Sequence, residues 1–265
     1  MEPQNEKFYT GSYCLIKPER FAKDFDLING RNLKVAVIDS GCDENQMNDH
    51  RILKGISFIS DDGGFKLTKN DNYLDQLGHG SACIDIIFQI APSVEIIPIK
   101  IFGSKLETST EILVEAINSA IENGAHVINL SLGTKLEEAL YPLYIVCEKA
   151  KNKNVICVSS NSNSDLNSYP AIFENVISVK AGRMKSKFDF VYQEDEISEC
   201  EANGLHEDAY CLSGGRKPLS GNSFAAPIIS GFTSLLIEKF GILSLENVRA
   251  LLKQYSIPSK VTLSK

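Results

Sequence analysis

The sequence predicts an α/β protein, a three-layer α/β/α arrangement around a mostly parallel central sheet. Short, continuously apolar and β-branched runs recur at 35–38, 94–101, 126–131, 155–159 and 176–180, the pattern of strands buried on both faces of a parallel sheet. Longer stretches with helical spacing lie between them, and helices that cross over between parallel strands cover both faces of the sheet. The 265 residues, 43% of them hydrophobic, suffice for one large core. No repeat, low-complexity tract or linker divides them. A single domain over 1–265 is therefore expected, with its motif-bearing part at 32–240.

The elements follow in order. Val35 to Ile38 reads as a buried strand with Asp39-Ser40-Gly41 at its carboxyl end, where open α/β sheets place their sites. His79, between Gly78 and Gly80, opens the helical stretch Ser81 to Gln89, so its imidazole is expected at a helix start. Thr108 to Asn123 reads as a helix, with threonine and serine caps ahead of Ile112, Ala116 and Ile117 and Gly124 behind. Glu137 to Asn152 reads as another, its start delayed by Pro142. Ser223 precedes Phe224, Ile228, Ile229, Phe232, Leu235 and Leu236, the spacing of a largely buried helix, and Pro227 falls near the first turn, where a missing N–H does little harm. The Ser223 hydroxyl is thereby placed at a helix amino end, whose dipole favours developing negative charge.

Asp39, His79 and Ser223 supply an acid, a base and a hydroxyl in an order found in one of the unrelated folds that converged on Ser-His-Asp catalysis. Taken singly, each has a plainer reading: a strand-ending turn residue, a loop histidine, a helix cap. Their contexts speak together. Val35-Ala-Val-Ile-Asp-Ser-Gly41, Gly78-His-Gly-Ser81 and Ser220-Gly-Asn-Ser-Phe-Ala-Ala-Pro227 resemble the Asp, His and Ser motifs of the subtilisin-like (subtilase) serine peptidases. The likeness extends to Ala91 to Lys100 after the histidine helix, to Val127-Ile-Asn-Leu-Ser-Leu-Gly133, to Val155 to Asn161 and to Tyr169-Pro170-Ala171.

The resemblance implies a subtilisin-like fold and a serine endopeptidase that works through an acyl-enzyme. His79 would take the Ser223 proton and Asp39 would hold the imidazole tautomer. The Asn161 amide and the Ser223 backbone N–H would stabilise the oxyanion. Ser131, Leu132, Gly133, Ser159, Ser160 and Ala171 would bind an extended peptide or protein substrate. No step calls for a metal or other cofactor.

Competing readings meet the same residues. Gly221-Asn-Ser-Phe-Ala225 is one residue from the α/β-hydrolase elbow G-x-S-x-G, whose histidine follows its serine; none of His50, His79, His126 and His206 follows Ser223. No cysteine sits in a recognisable peptidase motif. His126 reads as a strand residue, and His50 and His206 as loop residues. Asp43 reads as a turn acid, and Gln193-Glu-Asp-Glu196 with Glu199 and Glu201 as a solvated acidic loop, able to attract a basic peptide.

A net charge of −7 leaves no basic footprint for nucleic acid. No apolar run reaches the length of a membrane span, and Met1 to Lys7 is not a signal segment. Seven scattered cysteines without C-x-x-C spacing suggest neither a disulfide framework nor a zinc site, so a reducing cytoplasm is the expected compartment. Nothing in the pattern specifies an oligomeric state.

Departures from the family pattern shape further expectations. Secreted subtilases carry an inhibitory folding segment ahead of the peptidase, and Asp39 lies so near Met1 that none is expected here. The stretch from Ser81 to Ala91 lacks the insertion that builds a calcium site in many subtilases, and Asn48 stands near where an acidic ligand is usual, so no calcium dependence of that kind is expected. Asn222 replaces the usual threonine before the nucleophile, which bears on secondary oxyanion contacts, and Phe224 replaces the common methionine after it. Ser160 and Ala171 stand where the family has pocket glycines, which suggests a narrow pocket; Asp165 is the alternative, as a selector of a basic P1 residue. The expected role is specific processing, such as leader removal from a ribosomally made precursor of the lantibiotic type. General intracellular degradation, peptide macrocyclisation and non-catalytic peptide binding are the alternatives.

Overall fold

Strand β1 (Lys34–Asp39) sits near the middle of the sheet, paired in parallel with β4 (Glu95–Lys100) on one side and β5 (Val127–Leu130) on the other. The structure is a computed structural model that describes residues 24–258, apart from 26, 61–66, 164–166, 187–188 and 195. Among these residues nine strands form one sheet. Beyond β4 come β2 (Ile56–Ser60) and the edge strand β3 (Leu67–Asn70). Beyond β5 come β6 (Ile156–Ser160), β7 (Ile177–Gly182), β9 (Cys200–Asn203) and the edge strand β8 (Phe190–Tyr192). Only β3 and β8 run antiparallel to their neighbours. A separate antiparallel hairpin joins β10 (Leu205–Cys211) to β11 (Gly215–Ser220).

Alternation within the apolar runs splits the core between the two faces of the sheet, because successive strand side chains point to opposite faces. Val35 and Val37 join a cluster with Ile96, Val127, Val158 and Val179, whereas Ala36 and Ile38 join one with Ile97, Ile99, Ile128 and Leu130. The first face is covered by α2 (His79–Ile90), α5 (Asn222–Phe240) and α6 (Leu245–Tyr255), which follow the short α1 (Glu44–Met47) in the chain. The second is covered by α3 (Thr110–Glu122) and α4 (Leu140–Asn152). The three layers are those expected from the sequence.

The expected strands and helices match within a residue or two, and the differences have local causes. Ser109, not Thr108, caps α3, its hydroxyl accepting from Ile112 N at 3.3 Å. Glu137–Ala139 form a 3-10 turn, so that Pro142 falls in the first turn of α4, where the ring replaces no intrahelical hydrogen bond. The motif-bearing part ends at 240, and α6, which lies beyond it, buries Leu245, Val248, Leu252 and Tyr255. No single described helix is long and apolar enough to cross a membrane; α5 and α6 together pass by length and composition, but they are bent by 105° and α5 is buried within the fold.

Candidate active site

The carboxyl end of β1 and the start of α2 meet through small residues. A Cβ placed on Gly80 would lie 2.5 Å from the Gly41 carbonyl oxygen and 3.2 Å from the Asp39 Cβ, so glycine is what lets helix and strand approach. Gly78 caps the helix at φ +79°, a conformation costly to side-chain-bearing residues. Gly78 offers no side-chain cap, and Asp75 supplies one from a distance. Its buried carboxylate accepts from Leu77 N (2.8 Å), Gly78 N (2.9 Å), Ser81 N (3.0 Å) and the Ser81 hydroxyl (2.6 Å). Burial alone would raise the Asp75 pKa, but these bonds, that of Ser81 foremost, hold it below the ordinary value.

The approach brings His79 onto Asp39. The imidazole Nδ1 lies 2.8 and 2.9 Å from the two oxygens of the fully buried Asp39 carboxylate, which also accepts from Ser40 N at 2.7 Å. A carboxylate accepts hydrogen bonds, so Nδ1 carries the hydrogen and Nε2 is left to take a proton. Burial disfavours the imidazolium, but the charge and hydrogen bond of Asp39, with Asp75 behind it, outweigh burial and raise the His79 pKa above 6.5.

Ser223 is the second residue of α5, and its carbonyl accepts from the Ser131 hydroxyl at 2.7 Å. Asn129 donates to that hydroxyl at 3.0 Å and accepts from Ser230 at 2.9 Å. The Cys83 thiol contacts both halves of the site, 3.9 Å from Asp39 Oδ2 and 3.7 Å from Ser223 O. The His79 ring stands 5.2 Å from the ring of Phe224. Among the described residues no hydrogen bond joins His79 to the Ser223 hydroxyl. Burial, and then the Asp39 charge, push the Cys83 pKa far up, so this thiol stays neutral and is no nucleophile.

Beside Ser223 opens a cavity of 220 Å³ lined mainly by Leu132, Gly133, Ser160, Asn161, Ser168 and Ser223, with Lys135 also on its wall. Asn161 Nδ2 donates to the Ser198 hydroxyl at 2.5 Å, which leaves its second N–H for another acceptor; its Oδ1 is buried without a hydrogen-bond partner. Ser168 takes the place in the pocket expected of Ala171. Its hydroxyl accepts from Ser162 N at 3.0 Å, and a Cβ on Gly133 would come within 2.9 Å of it.

Three residues expected to bind substrate lie elsewhere. Ser159 and Ser160 are neighbours on β6 and point oppositely, so Ser160 faces the cavity while Ser159 is buried and donates to Leu132 O at 3.4 Å. Ala171 is buried beyond the cavity wall, after the cis Tyr169–Pro170 peptide. Ser131 is buried beneath Ser223 and holds its carbonyl.

The remaining polar residues also sort themselves. His206 is not a loop residue: it is buried on β10, its Nε2 3.2 Å from both Asn203 O and Phe224 O. Asp43 is more than a turn acid, since its buried carboxylate accepts from Tyr210 OH (2.5 Å) and Ser213 N (3.2 Å), fastening the β10–β11 hairpin beside the β1 end. The acidic stretch is not merely solvated. Glu199 accepts from Arg249 Nε at 2.8 Å, Glu194 pairs with Lys253, and Glu201 lies 3.6 Å from Lys180. The basic partners arrive from α6 and β7, remote in sequence. His126 Nδ1 accepts from Lys34 N at 3.0 Å, a sheet-end role, and the side chain of His50 is exposed. Asp165 and Met1 to Lys7 lie outside the described residues. Among the described residues α2 runs unbroken from His79 to Ile90, and the Asn48 amide donates to Glu44 O at 3.3 Å.

Comparisons with known proteins identify the family and the fold. The sequence profile of the subtilase family matches residues 30–261. The chain is 30% identical over 253 residues to the major intracellular serine protease of Bacillus subtilis (strain 168), covering 85% of this chain and 74% of that one. It is 29% identical over 244 residues to subtilisin DY of Bacillus licheniformis, covering 83% and 82%. A cold-adapted subtilisin-like serine proteinase of solved structure has the same fold, with a TM-score of 0.72, 20% identity and coverage of 90% and 92%.

Proposed function

Because the chain belongs to the subtilase family of serine endopeptidases, we propose that it is a processing endopeptidase that cuts after a small P1 residue, as in leader removal from a ribosomally made precursor of the lantibiotic type. The carrying observation is the cavity beside Ser223. Hydroxyls of Ser160 and Ser168 stand on its wall, and Ser168 packs so closely on Gly133 that a Cβ there would come within 2.9 Å of its oxygen; this lining supports a short side chain over a large aromatic one.

In this reading Ser223 attacks the peptide carbonyl while His79 Nε2 takes its proton and later gives it to the leaving amine. Asp39 holds the imidazole with Nδ1 protonated and stabilises the cation that forms. His79 and the Ser223 hydroxyl are not hydrogen-bonded in the free protein, and a contact of this kind forms when substrate is bound. The free N–H of Asn161 and the Ser223 N–H receive the oxyanion, and one such donor contributes about 3–4 kcal/mol. Water then releases the acyl group. The two cores on either face of one sheet support a single working domain. The buried free thiols, and the name of the Bacillus subtilis relative, support the cytoplasm as its compartment.

General intracellular degradation is the second reading, favoured by that same relative. Mass spectrometry of new peptide termini in a denatured proteome, with the Ser223→Ala protein as control, separates the two. Cleavage confined to Ala, Gly or Ser at P1, with slow digestion of casein, is the expected result. Broad cleavage that includes large aromatic P1 residues would defeat the processing role.

A further inference from the structure

Asn222, the residue before Ser223, is buried and spends its whole carboxamide on three stretches of main chain. Its Nδ2 donates to Asn161 O at 3.1 Å and to Ser162 O at 2.9 Å, and its Oδ1 accepts from Ala181 N at 2.7 Å. Its backbone N donates in turn to Asn163 Oδ1 at 2.8 Å. One side chain therefore joins the segment leaving β6, the end of β7 and the first turn of α5. A carboxamide combines two N–H donors with an acceptor on one short planar group; threonine has one hydroxyl hydrogen, and ionised aspartate has no donor at all. Buried carbonyls and amides left without partners are costly, so no other side chain of this size satisfies all three groups.

We propose that Asn222 is a positioning residue of the oxyanion site, setting the separation between Ser223 and the Asn161 amide by holding the Asn161 main chain to the nucleophile turn. The proposal rests on the reading of Ser223 as nucleophile and Asn161 as oxyanion donor. Asn222 touches no reacting atom and acts through Asn161, whose side chain is held independently by Ser198. Displacement of a donor in such a site costs up to about 100-fold in rate.

The test compares the full chain with Asn222→Thr, Asn222→Asp, Asn161→Ala and the double variant Asn161→Ala/Asn222→Thr. Active sites are counted by fluorophosphonate titration. Each protein is then measured for kcat and KM on a peptide substrate and for inhibition by a peptide aldehyde, which forms a tetrahedral oxyanion on the serine. Asn222→Thr should lower kcat per titrated site roughly 10- to 100-fold, leave KM nearly unchanged, weaken the aldehyde in proportion, and cost little more in the Asn161→Ala background. Asn222→Asp, almost the same shape without either donor, should do the same and serves if the threonine variant does not fold. An unchanged kcat per titrated site, with only the melting temperature lowered, would overturn the proposal, as would a full additional loss in the Asn161→Ala background. Wild-type protein that takes up no fluorophosphonate would overturn the nucleophile reading itself and the proposal with it.

Discussion

In the proposed mechanism the site has two halves, and they are held by different forces. The acid–base half is electrostatic: a buried carboxylate, an imidazole 2.8 Å away and a second carboxylate, Asp75, capping the helix that carries the imidazole. The nucleophile–oxyanion half is held together by neutral groups, although Lys135 also lines the cavity: Ser131 on the Ser223 carbonyl, Ser198 on the Asn161 amide, Asn222 on the Asn161 carbonyl. A buried carboxylate hydrogen-bonded to the imidazole sets its tautomer and raises its proton affinity. A neutral network sets distances and leaves one N–H and one hydroxyl uncommitted for substrate. Charge is invested where a proton must be handled, and neutral hydrogen bonds where a negative charge is to develop, since a fixed anion there would repel it.

The largest expected effect breaks the neutral half at its centre. Ser223→Ala should lower kcat about 10⁶-fold, the scale of losing a triad nucleophile, with KM for a peptide substrate little altered. Breaking the carboxylate–imidazole contact comes next. Asp39→Asn should cost about 10⁴-fold through the wrong tautomer.

The carboxylate–imidazole contact also predicts a pH dependence. With the folded His79 pKa above 6.5, the stabilisation linked to its protonation is fully present below 6.5 and fades as pH rises through the folded value. The active base is the neutral form, so wild-type kcat/KM should rise with pH through a limb above 6.5. In Asp39→Asn burial acts with less opposition, and that limb should move to lower pH. A limb that stays in place would mean that Asp39 does not set the proton affinity of His79.

Smaller effects sharpen the contrast. Asn161→Ala should lower kcat about 10²- to 10³-fold, without moving the pH limb, because it removes a neutral donor. Ser198→Ala removes one hydrogen bond that only orients that donor, and a loss of about 2- to 10-fold in kcat is expected from the usual ~0.5–1.5 kcal/mol of such a bond. A Ser198→Ala protein as slow as Asn161→Ala would show that Ser198 does more than orient it.

The same division governs what was legible in the sequence. The strand before Asp39, the helix opened by His79 and the buried helix behind Ser223 were readable because each is written locally, in apolar periodicity and in glycines. Asn161 and Ser160 could be placed beside Ser223 only through the family resemblance. The neutral network was not readable, since Asn222 meets Ser162 across 60 positions and Asn161 meets Ser198 across 37, and neither spacing leaves a local trace. Ser168 was hidden in a run of turn-forming residues. His206 looked like a loop residue because the 205–211 strand lacks clean alternation and carries a register shift between His206 and Ala209. The acidic stretch looked solvated because Arg249 and Lys253 arrive from α6, which lies past the last motif.

The most direct test of the central claim, that Asp39, His79 and Ser223 assemble into one activated nucleophile, is labelling by a fluorophosphonate read by intact mass on the native chain, Ser223→Ala and His79→Ala. One adduct on the native protein, with none on Ser223→Ala and a strongly slowed reaction on His79→Ala, is the predicted result. A folded native protein that remains unlabelled, or a His79→Ala protein labelled at the native rate, would contradict it.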